Sequence, residues 1–205
     1  NLIKLHRPDI IALHLLESQT YNDINSKINS IYSNIQVFKT ENLQIGSVLF
    51  LKKEIFNIEY KDGNPYYFDL ENSVSNKKII GVEVEFNNKK LHIITTHFES
   101  SDENDTIRSE QFDILYNVIK NGNIKKCIIL GNFESNSINE DISLTYYQKI
   151  DGAYFNDIDS EIDFQNLRVL TNITVGLDYF LRILPMSKIQ ICDESWAHNS
   201  ADYHS

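Results

Sequence analysis

A chain of 205 residues lies within the size that one hydrophobic core can organise, so a single domain over 1-205 is expected. Its 41% hydrophobic and 11% aromatic content excludes a disordered tail, and its apolar runs, of which Ile10-Ile11-Ala12-Leu13 is typical, are too short to span a bilayer. With 19 Lys+Arg against 29 Asp+Glu the formal net charge is -10, the wrong sign for a surface that grips nucleic acid through its phosphates.

Two cysteines, Cys127 inside an apolar run and Cys192 far from it, argue against a disulfide scaffold and for a reducing, intracellular compartment. Asn and Ile together fill about a quarter of the chain, the mark of AT-rich coding sequence. That bias lowers the meaning of any single Asn.

Taken in order, the chain reads as many strands and few helices. Ile3 and Leu5 belong to the end of a helix that Pro8 terminates, and Asp9 to Leu16 is a buried strand. Ser47 to Lys52 is a second strand and Glu54 to Tyr60, alternating apolar and polar, a third. Asp62-Gly63-Asn64-Pro65 is a turn in which Gly supplies positive φ. The Tyr66-Tyr67-Phe68 cluster, beside Asp69 and Glu71, suits a core or a sheet face better than base stacking.

Ile79 to Phe86 and Lys90 to Thr96 form a hairpin across Asn87-Asn88, since Asn tolerates the left-handed conformation that primed turns need. His92, on the second of these strands, reads as structural and faces solvent or a partner. Residues 104 to 120 place Ile107, Gln111, Ile114, Leu115, Val118 and Ile119 at helical spacing, and Gly122 closes that helix. Lys126 to Leu130 and Gly176 to Leu184 are further buried strands.

Several strands end in polar clusters, and their order resembles the endonuclease/exonuclease/phosphatase superfamily of metal-dependent phosphodiesterases. Arg7-Pro8-Asp9-Ile10-Ile11-Ala12-Leu13-His14-Leu15 is similar to the strand that usually reads R-P-D-I-I-A-L-Q-E, and Gly46 to Phe50 to the glycine-led strand that follows. Thr96-His97-Phe98-Glu99-Ser100 resembles T-H-L-x-S, and Arg108 with Gln111 resembles R-x-x-Q on the next helix. Ile129 to Ser135 resembles I-L-G-D-F-N-S, Leu177-Asp178-Tyr179-Phe180 resembles L-D-Y-I/F, and Ser200-Ala201-Asp202-Tyr203-His204 an interrupted S-D-H.

The resemblance implies an α/β (α+β) fold, a four-layer α/β/β/α sandwich of two mostly antiparallel sheets flanked by helices. It also implies a site in which Mg²⁺ offsets phosphate charge, a carboxylate orients water, and a His braced by a carboxylate meets the phosphate. On that pattern His97, Asn132, Asp178 and His204 are the catalytic candidates, with Asp178 bracing His204. His14, Glu99 and Arg108 are the candidates on the substrate side, and Glu17, Glu134 and Asp202 the remaining candidates for metal.

Departures from the pattern point towards a lost activity. The family's metal-binding Glu falls on Leu15, which has no donor atom. Glu17 lies on the same face if the strand continues, yet about 7 Å further along. The water-orienting Asp falls on Asn132, whose amide accepts no proton, and its Asn partner falls on Glu134. At the end of the chain either Asp202 stands in the family's place with Tyr203 where the His belongs, or His204 is the catalytic residue and a bulge absorbs one extra position.

The family's first and last strands have no counterpart here, so either the sequence is cropped at both ends or neighbouring polypeptide, in a larger assembly, completes the sheets. Two functions follow. A degenerate, catalytically impaired domain that acts as a binding or structural module is the first; an active Mg²⁺-dependent phosphodiesterase acting on nucleic acid or a phosphorylated small molecule is the alternative. An engineered Asp-to-Asn change at 132 would leave Leu15 and Glu134 unexplained.

Overall fold

The structure is a computed structural model that describes residues 2-38, 45-70, 73, 77-99, 105-124, 127-132, 147-150, 153-156, 168-175 and 178-185; beyond Gly131 it describes the course of the backbone alone. Short helix α1 (Leu2–His6) precedes β1 (Ile10–Glu17), α2 (Ser18–Ile28), β2 (Tyr32–Phe38) and β3 (Ile45–Lys52). There follow β4 (Tyr66–Asp69), β5 (Lys78–Phe86), β6 (Lys89–His97), α3 (Asp105–Asn121) and β7 (Cys127–Asn132). Four strands complete the described chain: β8 (Tyr147–Ile150), β9 (Ala153–Asn156), β10 (Arg168–Val175) and β11 (Asp178–Pro185).

These strands make two sheets, one ordered β11-β10-β1-β3-β2 and the other β4-β5-β6-β7-β9-β8. Pairing is antiparallel except for β1 with β10 and β6 with β7. The two-residue alternation of strands sorts their side chains into layers. On β1, Ile10 and Ala12 enter an apolar cluster with Leu49, Leu51, Val82, Leu91, Ile93 and Leu130, which fills the space between the sheets. Ile11 and Leu13 of the same strand turn outward onto Tyr21 and Ile28 of α2.

On the far side, Ile79, Ile94 and Ile129 pack under Phe112, Leu115 and Ile119 of α3. Three apolar layers between helix, sheet, sheet and helix are therefore present, and they are the four-layer sandwich expected from the sequence. Among the described residues no helix is long and apolar enough to cross a membrane.

Local sequence explains most of the elements. Asn87 and Asn88 both hold positive φ, 51° and 61°, as a primed two-residue hairpin between β5 and β6 requires. Gly122 receives the end of α3, its N–H bonding to the Val118 carbonyl at 3.0 Å. Gly81 has a different reason: a Cβ there would lie 2.0 Å from the Tyr66 ring, so the missing side chain is what lets Tyr66 lie across β5.

One expectation needs correction. Glu54 to Tyr60 is not a strand; Lys53 to Ile55 turn, and only Asn57 forms a bridge, to Glu85. Phe56 is buried, and Ile55 and Ile58 pack against the inter-sheet cluster, so this alternating segment plugs the sandwich instead of extending a sheet. His92 is half-buried: its ring lies 3.2 Å from the Tyr66 hydroxyl and 3.6 Å from a Glu83 carboxylate oxygen.

Candidate functional site

The site grows out of strand ends. β10 runs parallel to β1 and β7 parallel to β6, so the C-terminal ends of each pair share one end of their sheet. The two sheets meet there through His14 on β1 and Thr95 on β6, whose Nε2 and Oγ1 are 3.0 Å apart. His97 follows two residues after Thr95, hence on the same face of β6. Its ring stands edge-on to His14, with centroids 5.7 Å apart.

His14 is 2% exposed and His97 4%. The His14 Nδ1 lies 3.0 Å from Ser47 Oγ on β3. A neutral imidazole has one donor and one acceptor nitrogen, and each hydroxyl supplies whichever role is needed. Burial, then the charges of His97 and Lys77, hold the His14 imidazole well below its ordinary titration range, so it remains neutral between its two hydroxyls.

Asn132 closes β7, where its backbone is in register with His97. Asp178 opens β11 and pairs with Val175, the last residue of β10, which brings it to the same end of the molecule as the end of β1. His97, Asn132 and Asp178 thus come from three strands to one rim. Glu134, Asp202 and His204 lie outside the described residues, as does Cys192.

The end of β1, where the resemblance placed a metal ligand, is shaped by an irregularity. Leu13 pairs with Val48 and Leu16 with Gly46, so His14 and Leu15 together oppose Ser47 alone. That is a β-bulge, a device that re-aims side chains at sheet rims. Leu15 has φ 53° and is 38% exposed, an aliphatic side chain at the lip of the site. Leu13 and Leu16 both pack towards α2, so alternation beyond the bulge turns Glu17 back towards the side His14 occupies. Glu17 is exposed and is also the N-cap of α2, with no side-chain cap bond. The described residues contain no group of three or more His, Cys, Asp or Glu placed to hold a metal ion.

The residues expected to face substrate have other surroundings. Glu99 is 5% exposed and Arg108 1%. Where the chain leaves β6, the Glu99 N–H donates to Gln111 Oε1 at 2.9 Å, and Arg108 Nη1 donates to the Glu99 carbonyl at 3.4 Å. Arg108 and Gln111 share a face of α3 by their three-residue spacing. They satisfy backbone groups that the sheet no longer pairs. The Glu99 carboxylate accepts from Ser73 Oγ at 2.6 Å and faces Lys77 Nζ at 3.4 Å, while Lys77 also donates to the Phe98 carbonyl at 2.5 Å. His14, Glu99 and Arg108, the residues expected on the substrate side, are thus buried among protein groups, as His97 is.

Sequence reasoning passed over Ser47, Ser73, Lys77 and Thr95. Ser47 lies within one matched segment and Thr95 adjoins another, and their polar side chains within apolar strands were the available signal. Ser73 and Lys77 carry none, since only folding brings the segment before β5 to the end of β6.

No protein-family model and no curated protein matches this chain. Solved structures do. The chain is similar to a humanized zebrafish (D. rerio) TDP2 with a TM-score of 0.59 and 16% identity, over 70% of this chain and 56% of that one. It is also similar to an endonuclease/exonuclease/phosphatase from Bacteroides vulgatus, with a TM-score of 0.62 and 13% identity over 84% and 80% of the two chains. The human nocturnin catalytic domain aligns with a TM-score of 0.54 and 20% identity over 70% and 57%. This chain has the endonuclease/exonuclease/phosphatase fold. It spans about half the length of the TDP2 and nocturnin chains it matches, and identities this low carry the fold alone.

Proposed function

We propose that this domain is a degenerate phosphodiesterase-fold module, impaired in catalysis, that uses the scaffold and the remaining phosphate side of its cleft for binding. One observation carries the reading. The position at the end of β1 that the family pattern gives to a metal-binding Glu holds Leu15, an aliphatic side chain exposed at the lip of a bulge. A hard divalent cation takes oxygen ligands, and a leucine there supplies none while adding apolar surface to the rim. Asn132 at the end of β7 supports the same reading, because an amide cannot take a proton from water.

Edge strands β2 and β4 offer backbone groups to which a neighbouring polypeptide in a larger assembly could pair. The acidic balance disfavours nucleic acid held through a broad phosphate-contacting surface.

Thermal unfolding with millimolar Mg²⁺ or Mn²⁺ tests the proposal. A ligand that binds only the native state raises the melting temperature by mass action, so no saturable rise is expected. A rise specific to Mg²⁺ that disappears in Glu17→Ala or Glu134→Ala, accompanied by hydrolysis of bis-p-nitrophenyl phosphate, would overturn it. That outcome is the second reading, an active Mg²⁺-dependent phosphodiesterase, and the return of the exposed Glu17 to the His14 side of the sheet is what favours it.

A further inference from the structure

We infer that His14 is a positioning residue for His97, holding the ends of the two sheets at a fixed separation so that the His97 ring keeps one place at the rim. This deepens the reading of the cleft given above and rests on it for the meaning of His97, though its geometry stands independently.

His14 is the crosspiece of a three-residue bridge. Ser47 belongs to β3, His14 to β1 and Thr95 to β6, so the two 3.0 Å contacts of one imidazole connect both sheets of the sandwich. Below this level the sheets are held by aliphatic packing, which is non-directional and tolerates sliding. Hydrogen bonds at both ring nitrogens do not, because a buried donor or acceptor left unmade costs about 1-3 kcal/mol.

The bulge makes the bridge possible. Two residues of β1 face one of β3, and the single opposing residue is Ser47, the one whose hydroxyl His14 meets. His97 sits two positions beyond Thr95 on the same strand, against the edge of the His14 ring. A displacement of His14 therefore moves both the neighbour of His97 and the strand that carries it. The matched family pattern has Gln at this position, a side chain with a donor and an acceptor on one amide, and that variant can make both contacts without a ring.

The test reads His97 directly, on the whole chain, without metal or ligand. Ring signals of His97 in ¹⁵N-labelled protein are compared for wild type, His14→Gln and His14→Phe. Phe preserves the volume and an aromatic edge but has no nitrogen for Ser47 or Thr95. His14→Gln is expected to keep one set of His97 signals, as in wild type, and His14→Phe to lose it, giving a second set or broadening beyond detection. If His14→Phe leaves the His97 signals as in wild type, His14 is only a space-filler and the inference fails.

Should His14→Phe not fold, Ser47→Ala and Thr95→Val each remove one arm of the bridge and must disturb the same signals; undisturbed signals in both refute it. Binding of thymidine 5′-phosphate, followed on the same signals, separates the two claims. Absence of binding in wild type counts against the phosphate-side cleft, whereas unaltered His97 signals in His14→Phe count against His14.

Discussion

Because His14 is buried and its imidazole titrates well below the ordinary value of 6.5, folding of this domain should weaken in acid through this one residue. In the unfolded chain the ring takes up a proton as pH falls through 6.5, whereas in the native state burial, His97 and Lys77 keep it neutral. The unfolded state then binds more protons, and stability is lost as pH drops below 6.5 towards the native value. For a ring that stays neutral in the fold throughout, moving from pH 7.5 to 5.5 removes about 1.4 kcal/mol.

Other groups contribute to the total, among them His92, which burial also holds below its ordinary value although Glu83 opposes the shift. The informative quantity is therefore the difference between wild type and His14→Gln, which cannot titrate but retains a donor and an acceptor. Urea unfolding at the two pH values should show wild type losing about 1.4 kcal/mol more than the variant. Equal losses would mean that His14 takes a proton in the folded protein, and the account of a neutral ring held between two hydroxyls would be wrong.

Gly81→Ala should destabilise the fold by about 1-3 kcal/mol, because the new Cβ meets the Tyr66 ring; combined with Tyr66→Ala the loss should be less than additive in urea unfolding. Glu99→Gln should cost about 3 kcal/mol by leaving the partly buried Lys77 without its carboxylate partner, and a loss below about 1 kcal/mol in the same assay would show that Lys77 reaches solvent. The triple change Leu15→Glu, Asn132→Asp and Glu134→Asn should introduce a Mg²⁺-dependent rise in melting temperature where wild type has none. It should also lower stability without metal, since clustered carboxylates repel.

The fold was legible where the chain obeys simple periodicity. Strand β1, the β5-β6 hairpin and helix α3 stand out because apolar residues recur at two or at three-to-four positions and because Asn87-Asn88 and Gly122 end them. Helix α2 was hidden, as its apolar stripe is only Tyr21, Ile24 and Ile28 among polar residues rich in Asn. β2 was also hidden, its Ile35 and Val37 being too few in Tyr32–Phe38 to mark a strand. Glu54 to Tyr60 misled because alternation describes a half-buried strand and a wedge with Phe56 pointing inward equally well. At the site, motif order located His97 and the rim. It could not reveal that Glu99 and His14 are enclosed, since their partners Lys77 and Thr95 come from segments distant in sequence.

That difference separates two kinds of motif residue, and it bears on what a loss of chemistry leaves intact. Asp9 is buried and paired with Lys52 Nζ at 3.2 Å, and the Pro8 carbonyl beside it accepts from the Tyr32 hydroxyl at 2.6 Å. Arg108 and Gln111 hold the backbone where the chain leaves β6. Replacing any of these exposes an unsatisfied buried group, so such a substitution is penalised by stability whatever the domain does. Leu15 sits at the lip of the bulge, where exchanging a carboxylate for an aliphatic side chain breaks no internal bond. On the proposed reading, a domain released from catalysis changes first at its rim while its R-P-D, T-H and R-x-x-Q segments stay readable, and an exposed Leu15 beside the buried Asp9–Lys52 pair fits that order.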